Sequence, residues 1–263
     1  MNKLLCLTAL SAIVVATVFG AEFWEEKSPD SWDPKQCQEI LNDSPWVETV
    51  SFSRVNWYTD SMRGGRGTVT VENEEFGSTS GGQSGSGGAS GSPGQERQVT
   101  QFLRITLASA APVRLASARM QALMQPGSVT ETLDSIAAME PPNIAIQVSY
   151  YSRPVGQNWV RDIDSFLRQV TLPTLQNSTY LAAEKHNIHV PVSHYVPSSE
   201  NMPAAIFVFP RFNENGQPHF SGKEKEIVFH TELKLTQFGG SRDQVVDVDF
   251  EPKKLTFNGK FSF

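Results

Sequence analysis

The stretch from Ser31-Trp32-Asp33-Pro34 to Asn42-Asp43-Ser44-Pro45-Trp46 dictates a short helix running into a strand, and the rest of the chain has to build around that junction. Asp33 stands at an N-cap and Pro34 at the first helical position, where a missing N–H costs nothing and the fixed φ suits the helix. Gln36, three residues after Asp33, completes a capping box. Cys37, Ile40 and Leu41 recur at i, i+3 and i+4 and give one apolar face. Pro45 ends the helix, because the residue before a proline is biased away from helical backbone. Trp46 opens an apolar/polar alternation that runs to Val55 and puts Val50 and Phe52 on one face of a strand. Trp24, Trp32 and Trp46 flank the helix and read as clamps holding it to the body of the fold; an aromatic platform for sugars or bases is the alternative.

The first twenty residues read as an export signal rather than as part of the fold. Lys3 supplies a short basic region, Leu4 to Phe19 an apolar run, and Val18 and Gly20 suit a cleavage site, so residues 1–20 are expected to be a secretory signal peptide removed before Ala21. An uncleaved membrane anchor is the competing reading, although the run is at the short end for a span. Cys6 lies inside the apolar run rather than at its end, which argues against lipid attachment, and no later run approaches spanning length. Cleavage removes one cation, Lys3, and no acid, which takes the formal charge from −6 to −7. An acidic chain without a Lys/Arg cluster argues against a nucleic-acid partner. Only Cys37 then remains, so no intramolecular disulfide forms, and Cys37 reads as a small apolar helix residue rather than a nucleophile.

With 39% hydrophobic and 19% charged residues the chain has the composition of a folded protein rather than a disordered one. Its length suits one large domain or two small ones, and the expectation is a single α+β domain over residues 21–263. Residues 73–97 are expected to form a flexible surface loop, because Gly77 to Gly94 is almost entirely Gly and Ser and cannot bury enough apolar surface to offset its ordering entropy. A phosphate-cradling glycine loop would need a strand before it, a helix directly after it and a Lys with Ser or Thr, and that combination is missing.

Thr68 to Val71 suits a short strand, and Gln98 to Leu107 alternates as another. Ala111 to Met124 reads as a helix with an apolar stripe from Val113 to Met124, followed by a second helix capped by Ser128 with Glu131. Asn143 to Tyr151 has the period of a strand, and Trp159, Ile163, Phe166, Leu167 and Val170 mark a third helix. The last third reads as β: a hairpin of Thr179–Ala183 with Asn187–Val192, a doubly buried strand at Ala204–Phe209, and alternating strands at Ile227–Leu235, Val245–Phe250 and Leu255–Phe263. Asn258-Gly259 signals a tight turn, with a bulge in the final strand as the other reading. Seven to nine strands with clustered helices fit a mostly antiparallel sheet with helices packed against one face.

The segments around Trp24, Trp32-Asp33 and Asn42-Asp43-Ser44-Pro45-Trp46, then Phe207-Val208-Phe209-Pro210-Arg211 and the ending Pro252 to Phe261, resemble the signature of uncharacterised exported proteins common in acidobacteria. The resemblance brackets most of the mature chain. It implies export and carries no activity and no catalytic residues.

Two clusters could carry chemistry. His186, His189 and His194, with Glu184 and Glu200 nearby, contain zinc-ligand types, but their spacing matches no helical His-x3-His motif and a strand would point His186 and His189 to opposite faces. Solvated hairpin histidines are the plainer reading. Asp247 and Asp249 alternate with Val246, Val248 and Phe250, so they share one strand face, either as an acid/base pair or cation ligand or as the solvated side of a strand. No Gly-x-Ser-x-Gly elbow, Ser-x-x-Lys, His-Glu-x-x-His or paired Cys-x-x-Cys occurs, so no catalytic, metal or cofactor residues are assigned. The expectation is an exported envelope or periplasmic protein, secreted and non-enzymatic, that binds another envelope protein or an extracellular ligand or takes part in a surface assembly; a secreted hydrolase whose site assembles only in the fold is the alternative.

Overall fold

The computed structural model describes residues 22–57, 96–125, 132–153, 155, 160–183, 185, 187–237 and 240–263. The expected signal peptide, the strand at 68–71, most of the 73–97 loop, Ser128, Glu131 and Trp159 lie outside the described residues. Glu96 and Arg97, expected in the loop, instead pair with Trp57 and Asn56, because the first strand is long enough to carry the ladder past Gln98.

Six helices and eleven strands appear among the described residues. The order is α1 (Phe23–Glu26), α2 (Pro34–Asn42), β1 (Val47–Trp57), β2 (Glu96–Leu107), α3 (Ala111–Met124), α4 (Leu133–Ala138), β3 (Asn143–Arg153), α5 (Arg161–Gln169) and α6 (Leu172–Leu175). There follow β4 (Thr179–Ala183), β5 (Ile188–Pro191), β6 (His194–Val196), β7 (Ala204–Pro210), β8 (Ile227–Gln237), β9 (Gly240–Phe250), β10 (Thr256–Phe257) and β11 (Lys260–Phe261). The fold is α+β, and every strand pairing among the described residues is antiparallel. Nine strands divide between a five-stranded sheet, β1-β2-β3-β7-β6, and a four-stranded sheet, β5-β4-β8-β9; β10 and β11 form a hairpin of their own.

The two sheets meet through alternate residues. On the five-stranded sheet, register places Leu103, Ile105 and Leu107 of β2 beside Tyr150, Val148 and Ile146 of β3, with Ala205 and Phe207 of β7 beside Val148 and Ile146 and Phe209 beside Ile144. On the four-stranded sheet, Leu181, Phe229 and Val248 form one inward row. Phe229 meets Phe207 edge-on at 5.7 Å and Phe209 at 6.2 Å, which joins the two inner faces. Each fully buried side chain of this size contributes about 1.5–3 kcal/mol. One continuous cluster of buried apolar side chains takes in both sheets, α2, α3 and α5.

The early junction forms as its residues dictate. Asp33 accepts from the Gln36 backbone N–H at 2.8 Å and Gln36 Oε1 accepts from the Asp33 N–H at 3.2 Å, closing the capping box. Trp24, Trp32 and Trp46 are all buried, so they clamp the helix and offer no ring face to a ligand. The motif segments converge on the C-terminal residues. Trp46 Nε1 donates to the Ser262 carbonyl at 2.8 Å, Trp32 packs edge-on against Phe257 at 6.3 Å, and Arg211 donates through Nη2 to the Phe263 carbonyl at 2.6 Å. Asn258 and Gly259 both have positive φ, 51° and 70°, and close the β10–β11 hairpin as a tight turn rather than a bulge. Helix α4 is capped by Thr132, which accepts from the Ser135 N–H. The last turn of α3 is open, with Met124 70% exposed, although the apolar stripe reads through it.

Helices reach both faces of the five-stranded sheet. Helix α5 lies on the inner side: Tyr195 donates to the Leu167 carbonyl, Tyr150 to the Asp164 carboxylate, and Gln101 Nε2 to Asp162 at 3.1 Å. Burial, together with the bond to Asp164, pushes the Tyr150 phenol up to about 12. Helices α2, α3 and α4 stand over the outer side, where they wall the groove described next.

Candidate functional site: an arginine-lined groove

The alternation that turns Leu103, Ile105 and Leu107 inward turns Phe102, Arg104 and Thr106 outward. Register sets Arg104 beside Ser149, Thr106 beside Gln147 and Phe102 beside Tyr151 on the same outer face. Over this floor stand Val113, Arg114 and Ser117, which share one side of α3 by their i, i+1, i+4 spacing, with Ile136 and Met139 from the α4 segment and Leu41 from α2. Together they enclose a groove of about 640 Å³, within the size range of small-molecule sites.

The groove is positive. Arg104 and Arg114 line it, and among the described residues its lining includes no carboxylate, histidine or cysteine. Both guanidiniums are held in place. Arg104 Nη1 donates to Asn42 Oδ1 at 2.6 Å, and its guanidinium carbon stands 5.4 Å from the centre of the Tyr151 ring. Arg104 Nε is shielded from solvent and has no acceptor. Arg114 donates through Nε to the Ser109 carbonyl at 3.1 Å and through Nη2 to the Met139 carbonyl at 2.6 Å, which ties the end of α4 to α3. Outside the groove the row continues. Tyr151 stacks on Phe102 at 4.8 Å with an 8° interplanar angle, and Arg153 lies 5.4 Å over Phe102.

The residues singled out from the sequence lie elsewhere. His186 and Glu184 are outside the described residues. His189 lies on the outer face of the four-stranded sheet and His194 on β6 of the other sheet, so their proximity in sequence does not bring them together. Glu200 is exposed in the connection between β6 and β7. Among the described residues no three His, Cys, Asp or Glu side chains are placed to hold a metal ion. Asp247 and Asp249 do share one strand face. Cys37 is fully buried, and burial pushes its thiol pKa up, so it stays protonated inside the core.

The fold links Asp247 and His189 only through two residues outside both clusters, His230 and Tyr180. Register puts Asp247 opposite His230 and His230 opposite Tyr180. Asp247 Oδ1 lies 2.6 Å from His230 Nδ1, the imidazole stacks on Tyr180 at 4.5 Å, and His189 covers the other side of Tyr180 at 4.3 Å. His230 Nε2 lies 3.9 Å from Glu232. This stack is on the outer sheet face, with Asp247 more than half exposed.

Sequence reasoning passed over Arg104 and Arg114. The signal for Arg104 was the outward parity of β2, which carries an aromatic, a cation and a hydroxyl where a plain solvated face needs none of the first; Arg114, on α3, carried no such signal. Comparison with protein-family models, with curated proteins and with solved structures finds no match for the chain.

Proposed function

We propose that the chain is an exported, non-enzymatic binding protein of the envelope or periplasm, and that the groove over the outer face of the five-stranded sheet holds its ligand. The observation that carries this reading is the lining: two arginines in a groove of about 640 Å³ and, among the described residues, no group that exchanges a proton near neutral pH. Arginine keeps its charge throughout the physiological range, so it orients and neutralises an anion but does not serve as a general acid or base. The export part rests on Lys3, the apolar run Leu4 to Phe19 and the resemblance to exported proteins.

The test is retention. The chain from Ala21 onward is incubated with a small-molecule extract of the source cell envelope, re-isolated, and assayed for bound compounds by mass spectrometry, beside a Ser117→Glu variant that places an acid in the groove. The expected outcome is a compound held by the wild type and absent from the variant. Nothing retained, or equal retention by both, refutes the reading.

The competing hydrolase reading has one specific observation behind it, the hydrogen-bonded His230–Asp247 pair with Tyr180. Turnover of an ester, glycoside or phosphoester panel that disappears in His230→Ala would establish that reading in place of binding.

A further inference from the structure

From the division of chemistry inside the groove we infer its ligand class: an amphipathic organic carboxylate, with one anionic head at Arg104 and an apolar chain running along α3 and α4. This inference rests on the reading of the groove as a binding site. The floor and the wall differ in kind. Arg104, Thr106, Gln147 and Ser149 make a hydrogen-bonding floor, whereas Leu41, Val113, Ile136 and Met139 make an apolar wall. Met139 is 48% exposed despite being apolar, and a chain lying in the groove would cover it.

The head-group position follows from Arg104. Arg104 stands in the groove floor, while its acceptor-less Nε lies beneath the surface where an arriving group does not reach it. The bond to Asn42 and the Tyr151 ring fix the plane of the guanidinium, so an arriving carboxylate meets a pre-oriented positive charge. Arg114 already donates from Nε and Nη2 to backbone carbonyls; it contributes positive field and holds Met139 at the groove edge. One oriented guanidinium beside an apolar wall matches a monoanion with a hydrocarbon portion. A polyanion would leave the wall unused.

The experiment is calorimetric titration of the chain from Ala21 onward with hexanoate, octanoate and decanoate, beside octanol, octylammonium and inorganic phosphate. The carboxylates should bind at one site per chain, with affinity rising about two- to fourfold per added methylene. Octanol should bind at least about tenfold more weakly than octanoate, as expected when a charge-assisted hydrogen bond is lost. Octylammonium and phosphate should show no binding, the first for its charge and the second for lack of a chain. Arg104→Gln should weaken decanoate at least about tenfold while Arg104→Lys retains part of the affinity. Ser117→Glu, at an exposed helix position, should do the same by repulsion and guards against a folding defect in the Arg104 variants. Equal binding of octanol and octanoate, binding insensitive to both Arg104→Gln and Ser117→Glu, or several sites per chain overturns the inference. If carboxylates fail while the envelope extract still yields a compound retained by wild type and lost in Ser117→Glu, the ligand class falls and the binding reading stands. If both fail, both fall.

Discussion

Replacing Gly222 by alanine tests whether the turn before β8 and the C-terminal hairpin are packed as one unit. Gly222 has φ +81°, a region that costs an L-residue roughly 1–2 kcal/mol. A Cβ there would stand 2.8 Å from Phe261 Cγ, 3.1 Å from its Cβ and 3.2 Å from its Cδ2. These atoms belong to a ring base rather than a flexible tip, and Phe261 is itself stacked on Phe263 at 5.8 Å. Overpacking of this kind costs typically about 1–3 kcal/mol. The two effects together put Gly222→Ala at about 2–5 kcal/mol. Gly259→Ala provides the control: its φ is +70°, but nothing lies within 4 Å of the added Cβ, so it should cost only the backbone strain. Urea unfolding followed by tryptophan fluorescence reads both, since Trp24, Trp32 and Trp46 are buried in the core. Gly222→Ala should be the less stable variant by about 1–3 kcal/mol. Equal stability of the two would show that Phe261 moves aside freely and refute the packing argument.

Three further outcomes are expected. Glu224 is 4% exposed and accepts from the Ser221 and Gly222 backbone N–H groups and the Ser221 hydroxyl. Burial alone would raise its pKa, but these bonds outweigh it and hold the carboxyl below its ordinary value. The stabilisation is therefore complete above the unfolded-state value of ~4.3 and is lost as pH falls through the folded-state value. Glu224→Gln should cost about 1–3 kcal/mol at pH 7, with the gap to wild type narrowing in urea titrations run at progressively lower pH below ~4. Asp33→Ala should destabilise by about 1 kcal/mol, read as a lower urea midpoint with unchanged slope, because it removes the acceptor for the Gln36 N–H. N-terminal sequencing of the protein recovered from its source cells should begin at Ala21; a chain that starts at Met1 would contradict cleavage of the apolar leader.

What could be read from the sequence was local. Asp33 and Gln36 are three residues apart, so their capping box depends on nothing distant. Alternation in β2, β3, β8 and β9 identifies strands because one face is buried, and Asn258-Gly259 closes its hairpin through the backbone freedom of those two residues. The division of nine strands into two sheets was not legible: Phe207 and Phe229 meet because β7 and β8 enter different sheets, and each strand's own pattern is the same either way. The groove was hidden for the same reason. Arg104 and Arg114 belong to different elements, and only the return of α3 over the outer face of β2 brings them to one cavity. His230 and Asp247 likewise meet through the register of β8 on β9, whereas the nearby histidines in sequence, His189 and His194, are sent to different sheets.

The proposed ligand site is the groove over the five-stranded sheet. The most direct measurement is a crystal structure of the chain from Ala21 onward grown with decanoate. The expected result is density with its carboxylate against Arg104 and its chain along Val113, Ile136 and Met139. Density confined to the His230–Asp247 face, or an empty groove at a concentration that saturates binding in solution, would contradict it.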